Sequence, residues 1–300
     1  SGENLEPLVD LDRVDRDRDR VLAVMTQPLR DRDRDARLAD RRRAEEGDDL
    51  HRAAGWHDGR MELSGAKVLL TGATGGLGHA IARALHRQGA ALVLTGRRTE
   101  VLEPLAEELG ATVVACDLSD RQAVTALAEG HRDVDVLIAN AGLPGSGPLA
   151  EYSDEQIDRA IDVNLRAPAI LARTIAPEMA ARARGHVVFV SSLSGLTGQA
   201  GSSVYSATKF GLRGLGQGLR GDLAGTGVGV TTIFPGFIRD AGMFHNAGAE
   251  LPRGVGTSTP EQVAGAVLRG ISRDKAEIVV APATMRIGAA LDFDGETREF

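Results

Sequence analysis

Lys67-Val68-Leu69-Leu70-Thr71-Gly72-Ala73-Thr74-Gly75-Gly76-Leu77-Gly78 is the stretch on which the fold turns. Lys67 to Leu70 is a short apolar run that reads as a buried strand. A glycine-rich turn follows at once. After it Leu77, Ile81 and Leu85 fall on one face of a helix, with Ala80 and Ala84 beside them. Strand, glycine turn and helix in immediate succession are the context in which glycines serve a dinucleotide. They let the backbone turn tightly and approach a pyrophosphate, whose charge the helix N-terminus stabilises. The spacing is Thr-Gly-x-x-x-Gly-x-Gly, at Thr71, Gly72, Gly76 and Gly78, rather than Gly-x-Gly-x-x-Gly.

Downstream, Tyr205-Ser206-Ala207-Thr208-Lys209 sets a phenol and an ammonium one helical turn apart on one face. A free phenol titrates near 10. A neighbouring ammonium favours the phenolate, so the pair is expected to bring Tyr205 toward a pKa at which it exchanges protons with an alcohol or carbonyl.

These motifs, with others in a fixed order, resemble the short-chain dehydrogenase/reductase family in its simple single-domain branch. The others are Asp117 after the third strand, Asn140-Ala141-Gly142 after the fourth, Asn164 in the next helix, Ser192 ending the fifth strand, and Pro235-Gly236 after the sixth. The resemblance runs from about Met61 to about Ala283. It implies a Rossmann-type, doubly wound parallel α/β sheet of about seven strands in three layers. It also implies an NADP-dependent interconversion of alcohol and carbonyl by hydride transfer. Tyr205 would be the general acid or base, and Lys209 would lower its pKa and hold the nicotinamide ribose. Ser192 would polarise the substrate oxygen, and Asn164 would hold a water linking Lys209 to solvent. Cofactor contacts are implied for Thr71, Gly72, Thr74, Gly76, Leu77 and Gly78, for Asp117 and Leu118 at the adenine, and for Asn140, Ala141 and Gly142. They are implied also for Tyr205, Lys209, Pro235, Gly236 and Ile238. A homodimer or homotetramer is implied, built on the helices bearing Asn164 and Tyr205; Ala167, Ile170, Leu171 and Ile175 form an apolar stretch suited to such pairing. The alternatives are a non-catalytic nucleotide-binding regulatory protein and an epimerase or dehydratase on the same fold.

Cofactor choice is read after the second strand, at Thr95-Gly96-Arg97-Arg98. No acid stands there to accept from a ribose 2′-hydroxyl. Two guanidinium groups suit a 2′-phosphate, so NADP is expected over NAD, which stays possible. Gly75 departs from relatives that carry a basic residue within the glycine loop. Asp240 stands where the family often has a Thr at the nicotinamide amide. Residues 237–256 are Gly- and Pro-interrupted and read as a substrate lid, with Phe237, Met243 and Phe244 as an apolar wall and His245 solvated.

The 300 residues hold 42 acidic and 35 basic side chains, a net charge of −7, which gives no electrostatic footprint for nucleic acid. One cysteine, Cys116, excludes an internal disulfide framework and fits a reducing, cytoplasmic setting. No apolar run approaches the roughly 20 residues of a membrane span. No His, Cys and carboxylate spacing supports a metal site. Residues 1–60 alternate Asp and Arg, as in Asp15-Arg16-Asp17-Arg18, and read as a charged extension, disordered or a loose salt-laced helix; it is either a regulatory or docking tail or, as favoured here, sequence ahead of a natural start at Met61. No role is assigned to Asp292–Phe300.

Strand-like and helical runs alternate through residues 61–300. Strands are expected at Ala91–Leu94, Ala111–Ala115, Val134–Ile138, His186–Val190, Val228–Phe234 and Ile278–Val280. Gly110 should stop one helix, and Ser119 with Gln122 should cap the next. Ser153 with Gln156 should cap a long helix toward Arg184, broken or bent around Pro168 and Pro177. Another helix should begin at Thr259, Pro260 and Gln262.

Overall fold

The computed structural model describes residues 56–57, 60–239 and 256–282. Seven parallel strands form one sheet. In chain order they are β1 (Lys67–Thr71), β2 (Ala91–Gly96), β3 (Thr112–Ala115), β4 (Val136–Ala139), β5 (Gly185–Val190), β6 (Val228–Pro235) and β7 (Glu277–Val280), and their spatial order is β3-β2-β1-β4-β5-β6-β7. β1 pairs with β2 on one side and β4 on the other. The winding reverses between β1 and β4, and the loops leaving their C-terminal ends part to open a crevice.

Both faces are covered, as parallel strands require. Along β1, Val68 and Leu70 enter one apolar cluster and Leu69 the other. The first cluster receives α1 (Gly76–His86), α2 (Thr99–Leu109) and α7 (Pro260–Arg273). The second receives α3 (Arg121–Gly130), α5 (Ala167–Ala181) and α6 (Ser203–Asp222). Gly110, at φ 60°, closes α2 in the left-handed conformation. Ser153 with Gln156 and Thr259 with Gln262 form complete capping boxes, the first opening α4 (Asp154–Ile161).

Four expectations differ in detail. The cap of α3 is Asp120, whose carboxylate accepts from Gln122 N and Ala123 N; Ser119 instead donates to Asp117. An aspartate adjacent to the first turn outcompetes the hydroxyl for the orphan N–H groups. The long helix after Ser153 is interrupted by a π-helical turn at Asp162–Arg166, ahead of Pro168, which falls in the first turn of α5. Ala167, Leu171 and Ile175 are fully buried against the sheet, so that of the apolar stretch only Ile170 is partly exposed. Finally, Trp56–His57 pairs antiparallel with Arg60–Met61 across the expected boundary at residue 60, and Met61 is buried in the first cluster. The remainder of residues 1–60, most of the expected lid with Asp240, Met243, Phe244 and His245, and the C-terminal run from Asp292 lie outside the described residues.

Candidate active site

The glycine turn is fixed by close backbone approach. Gly72 adopts φ +68°, and a Cβ there would stand 2.6 Å from Ala141 Cα. A Cβ on Gly78 would come within 2.7 Å of Ala73 Cα, so helix α1 and the turn touch backbone to backbone. Thr71 Oγ1 accepts from the N–H groups of Asn140 and Ala141, both at 3.1 Å. Asn140 Nδ2 donates to the carbonyls of Thr71 and Gly72, each at 3.1 Å. The end of β4 is thereby sewn to the turn after β1.

Above this seam lies a cavity of about 480 Å³. Gly72, Thr74, Gly76, Leu77, Gly78, Arg97, Arg98, Asp117, Leu118, Asn140, Ala141 and Gly142 line it. Two observations suit it to a dinucleotide. Asn140 Oδ1 and Thr95 Oγ1, on lining residues, are buried without a hydrogen-bond partner in the structure. Helix α1 also opens with no side-chain cap and no acid in its first turn, which leaves its N–H groups to an anion. Thr71 lies beneath the cavity. Pro235, Gly236 and Ile238 do not line it; Gly236 sits against Leu193 and Ala281, and Ile238 bridges to Ser258. The lining also includes Gly75, Thr95, Gly96, Cys116, Leu143, Pro144, Arg159 and Val163, which sequence reasoning did not place in a site. Gly75, Thr95 and Gly96 lay within stretches already singled out, and Cys116, Leu143 and Val163 lay next to motif residues; Pro144 and Arg159 carried no signal.

The second constellation stands at the C-terminal end of β5. Ser191 Oγ donates to the Lys209 carbonyl at 2.9 Å, and Lys209 Nζ donates to the Val190 carbonyl at 3.0 Å. Ser192, extended at φ −164°, begins a 3₁₀ turn; its Oγ accepts from Ser194 N at 3.1 Å and acts on the Tyr205 phenol, holding its pKa down. The two serines thus divide their work: Ser191 braces the helix and Ser192 reaches the phenol. Asn164, fully buried in the π-turn, accepts from Leu143 N at 2.7 Å. It donates to Leu143 O and to Thr208 Oγ1. A methyl at Gly142 would lie 3.5 Å from both Asn164 Oδ1 and Lys209 Nζ, so both groups converge behind the floor of the cavity.

The electrostatics depart from the spacing argument. Burial raises the Tyr205 phenol to about 12, with the Ser192 hydrogen bond pulling the other way. Burial lowers Lys209 to about 8. Loss of hydration penalises each charged form, and here it outweighs the attraction expected between ammonium and phenolate. Burial likewise pushes the Cys116 thiol up, to about 11.

The short chain dehydrogenase family model matches residues 66–252. The chain belongs to the short-chain dehydrogenase/reductase family. With it the chain joins the NAD(P)-dependent oxidoreductases. It is 36% identical over 227 residues to the ketoacyl reductase HetN of Nostoc sp., across 73% of this chain and 79% of that one. It is 35% identical over 181 residues to the 3-oxoacyl-[acyl-carrier-protein] reductase FabG of Rickettsia conorii, across 60% and 75%. A solved short-chain dehydrogenase from Sphingobium yanoikuyae in complex with NADPH superposes with a TM-score of 0.64 at 29% identity, covering 78% of this chain and 97% of that one. A metagenomic short-chain oxidoreductase in complex with NADP gives 0.62 at 34% identity, covering 74% and 100%. Among the described residues no helix is long and apolar enough to cross a membrane, and no cluster of His, Cys, Asp and Glu could hold a metal ion.

Proposed function

We propose that this chain is an NADP(H)-dependent reductase of small-molecule carbonyls, acting reversibly on the alcohols, with 3-oxoacyl compounds as its first candidate substrates. The observation that carries the reading is the junction of Ser192, Tyr205, Lys209 and Asn164 beside a glycine-lined cavity whose far end presents Arg97 and Arg98. The substrate class follows the printed activities of HetN and the Rickettsia reductase. NADP follows the two exposed guanidinium groups and the ligands of the solved relatives.

Bound dinucleotide supplies or accepts the hydride at its nicotinamide. The protein does the rest. A phenol held near 12 stays protonated at neutral pH, which suits Tyr205 to give its proton to a carbonyl oxygen. Ser192 hydrogen-bonds the same oxygen as it gains charge. Lys209 sits behind the cavity floor, where its charge favours phenolate once the proton has left. Asn164 fixes the Leu143 backbone against Thr208 and so holds cavity and helix α6 in register. The glycine turn and Arg97 and Arg98 hold the pyrophosphate and 2′-phosphate ends. A cytoplasmic setting, and an N-terminal segment dispensable for chemistry, complete the reading.

The test is a carbonyl panel headed by 3-oxoacyl thioesters, read by NADPH oxidation with Tyr205→Phe as control. Turnover of no carbonyl by the parent chain would overturn the reading.

A further inference from the structure

Arg159 lies on α4, across the crevice from the end of β3, yet lines the same cavity as the glycine turn. Its Nη2 stands 3.8 Å from Asp117 Oδ2, beyond hydrogen-bonding distance. Both side chains are close to half exposed, at 45% and 41%, so the pair holds weakly and opens easily. Asp117 is differently constrained. Its Oδ1 accepts from Ser119 N at 2.9 Å and from Ser119 Oγ at 2.7 Å. That fixes the carboxylate and leaves Oδ2 as the oxygen open to a new donor. Cys116, Leu118 and Val163, all nearly buried, give this end of the cavity an apolar wall. The slot therefore has a carboxylate at one edge, an apolar wall, and a planar guanidinium at its mouth.

We propose that Arg159 is a purine-recognition residue, its guanidinium lying on the face of an adenine whose exocyclic amine is presented to Asp117 Oδ2. The inference deepens the dinucleotide reading above and rests on it. A flat, weakly hydrated guanidinium stacks on aromatic faces as an ammonium does not. The adjacent Asp117 carboxylate makes this a poor site for phosphate, since it would repel the anion at close range. Arg97 also feels the Asp117 charge, but without a contact within 4 Å, and both Arg97 and Arg98 are exposed at the end of β2, which makes them the better phosphate partners. Arg159 thus closes over the base, and its weak link to Asp117 is exchanged for the purine when the nucleotide enters.

The experiment uses the full chain and titrates NADPH, NADH and reduced nicotinamide mononucleotide, which lacks the adenosine. Arg159→Ala should weaken both dinucleotides by the same factor, roughly five- to tenfold. The mononucleotide, which lacks the base, should bind unchanged. Arg159→Lys, which keeps the charge without the plane, should recover little of the loss. Equal melting temperatures exclude a folding defect. Unchanged dinucleotide affinity in Arg159→Ala, a loss confined to NADPH, or full recovery by Arg159→Lys would each overturn the assignment. A parent chain that binds neither dinucleotide would overturn the cofactor reading itself.

Discussion

Lys209 Nζ lies over the Tyr205 ring, 5.6 Å from its centre, while hydrogen-bonding the Val190 carbonyl. The ammonium therefore meets the face of the phenol and is tethered to the strand end beside it. Its attraction for a phenolate is spent at a distance, and burial decides both pKa values. Burial thus keeps the Tyr205 phenol protonated across the neutral range.

Tyr205→Phe keeps the ring under Lys209 but removes the proton. Turnover should fall by roughly 10²–10⁴-fold, the usual worth of a positioned acid or base. NADPH affinity should change little. Lys209→Ala should fall comparably and also weaken NADPH, because Nζ converges with Asn164 behind Gly142 at the cavity floor. Steady-state rates with direct binding titrations separate the two variants. Parental activity in Tyr205→Phe would exclude the phenol as the acid.

The pH profile of reduction follows from the lysine. Lys209, lowered to about 8 by burial, is charged below that pH and neutral above it. The reduction rate should be level between about pH 6 and 7.5 and decline as pH rises through about 8. An alkaline limb starting only above pH 10 would show that Lys209 keeps an ordinary pKa.

Arg97 and Arg98 are exposed at the cavity end of β2, and Thr95 to Arg98 holds no acid. NADPH should bind tighter than NADH. Replacing both arginines by alanine should narrow that gap by roughly 1–3 kcal/mol, the scale of charged hydrogen bonds. Competition titrations of both cofactors against both proteins measure it. Equal affinities in the parent would leave the two guanidinium groups without this role.

The sheet was legible because parallel strands buried on both faces read as apolar runs, and because Gly72 and Gly78 permit approaches that no other residue allows. Ser192, Tyr205, Lys209 and Asn164 were legible as a family order. What the sequence hid was long-range. The π-turn that presents Asn164 has no residue signature, and the two prolines after it drew attention to the wrong place. Arg159 reads as an ordinary charged helix residue, because only the fold sets it opposite Asp117. The direction of the Tyr205 shift depends on how deeply both partners are buried, which spacing along a helix does not contain.

Self-association is expected at α4 and α6. Phe210 and Ile161 are each 40% exposed, on neighbouring helices, whereas Ala167, Leu171 and Ile175 are consumed by the sheet. Large apolar side chains of this exposure favour a partner surface. Light scattering at micromolar concentration should give a dimer or larger, and Phe210→Glu should shift it toward monomer. A monomeric parent chain would remove this proposal.

His186 should make the fold acid-sensitive. It lies fully buried on β5, opposite Gly229 on β6, where the absence of a Cβ leaves room for the ring. Thr231 Oγ1 gives its proton to the Lys275 carbonyl at 2.7 Å, so it accepts from His186 Nε2 at 2.8 Å. The ring is therefore the neutral tautomer with the proton on Nε2, and Nδ1 is buried without a partner. Burial lowers its pKa to about 4; Asp274 pulls it up and Arg220 down by smaller amounts. The folded state then binds fewer protons than the unfolded one between about pH 6.5 and 4. Stability is complete above the unfolded pKa and is lost as pH falls through that window, flattening below the folded value. At about 1.4 kcal/mol per unit, the loss from this one group is roughly 3 kcal/mol. His186→Asn should flatten the fall between pH 6.5 and 4.5 relative to the parent, measured by denaturant unfolding at matched ionic strength. The same slope in both proteins would mean that His186 is charged when folded, or that the acid sensitivity lies in the carboxylates alone.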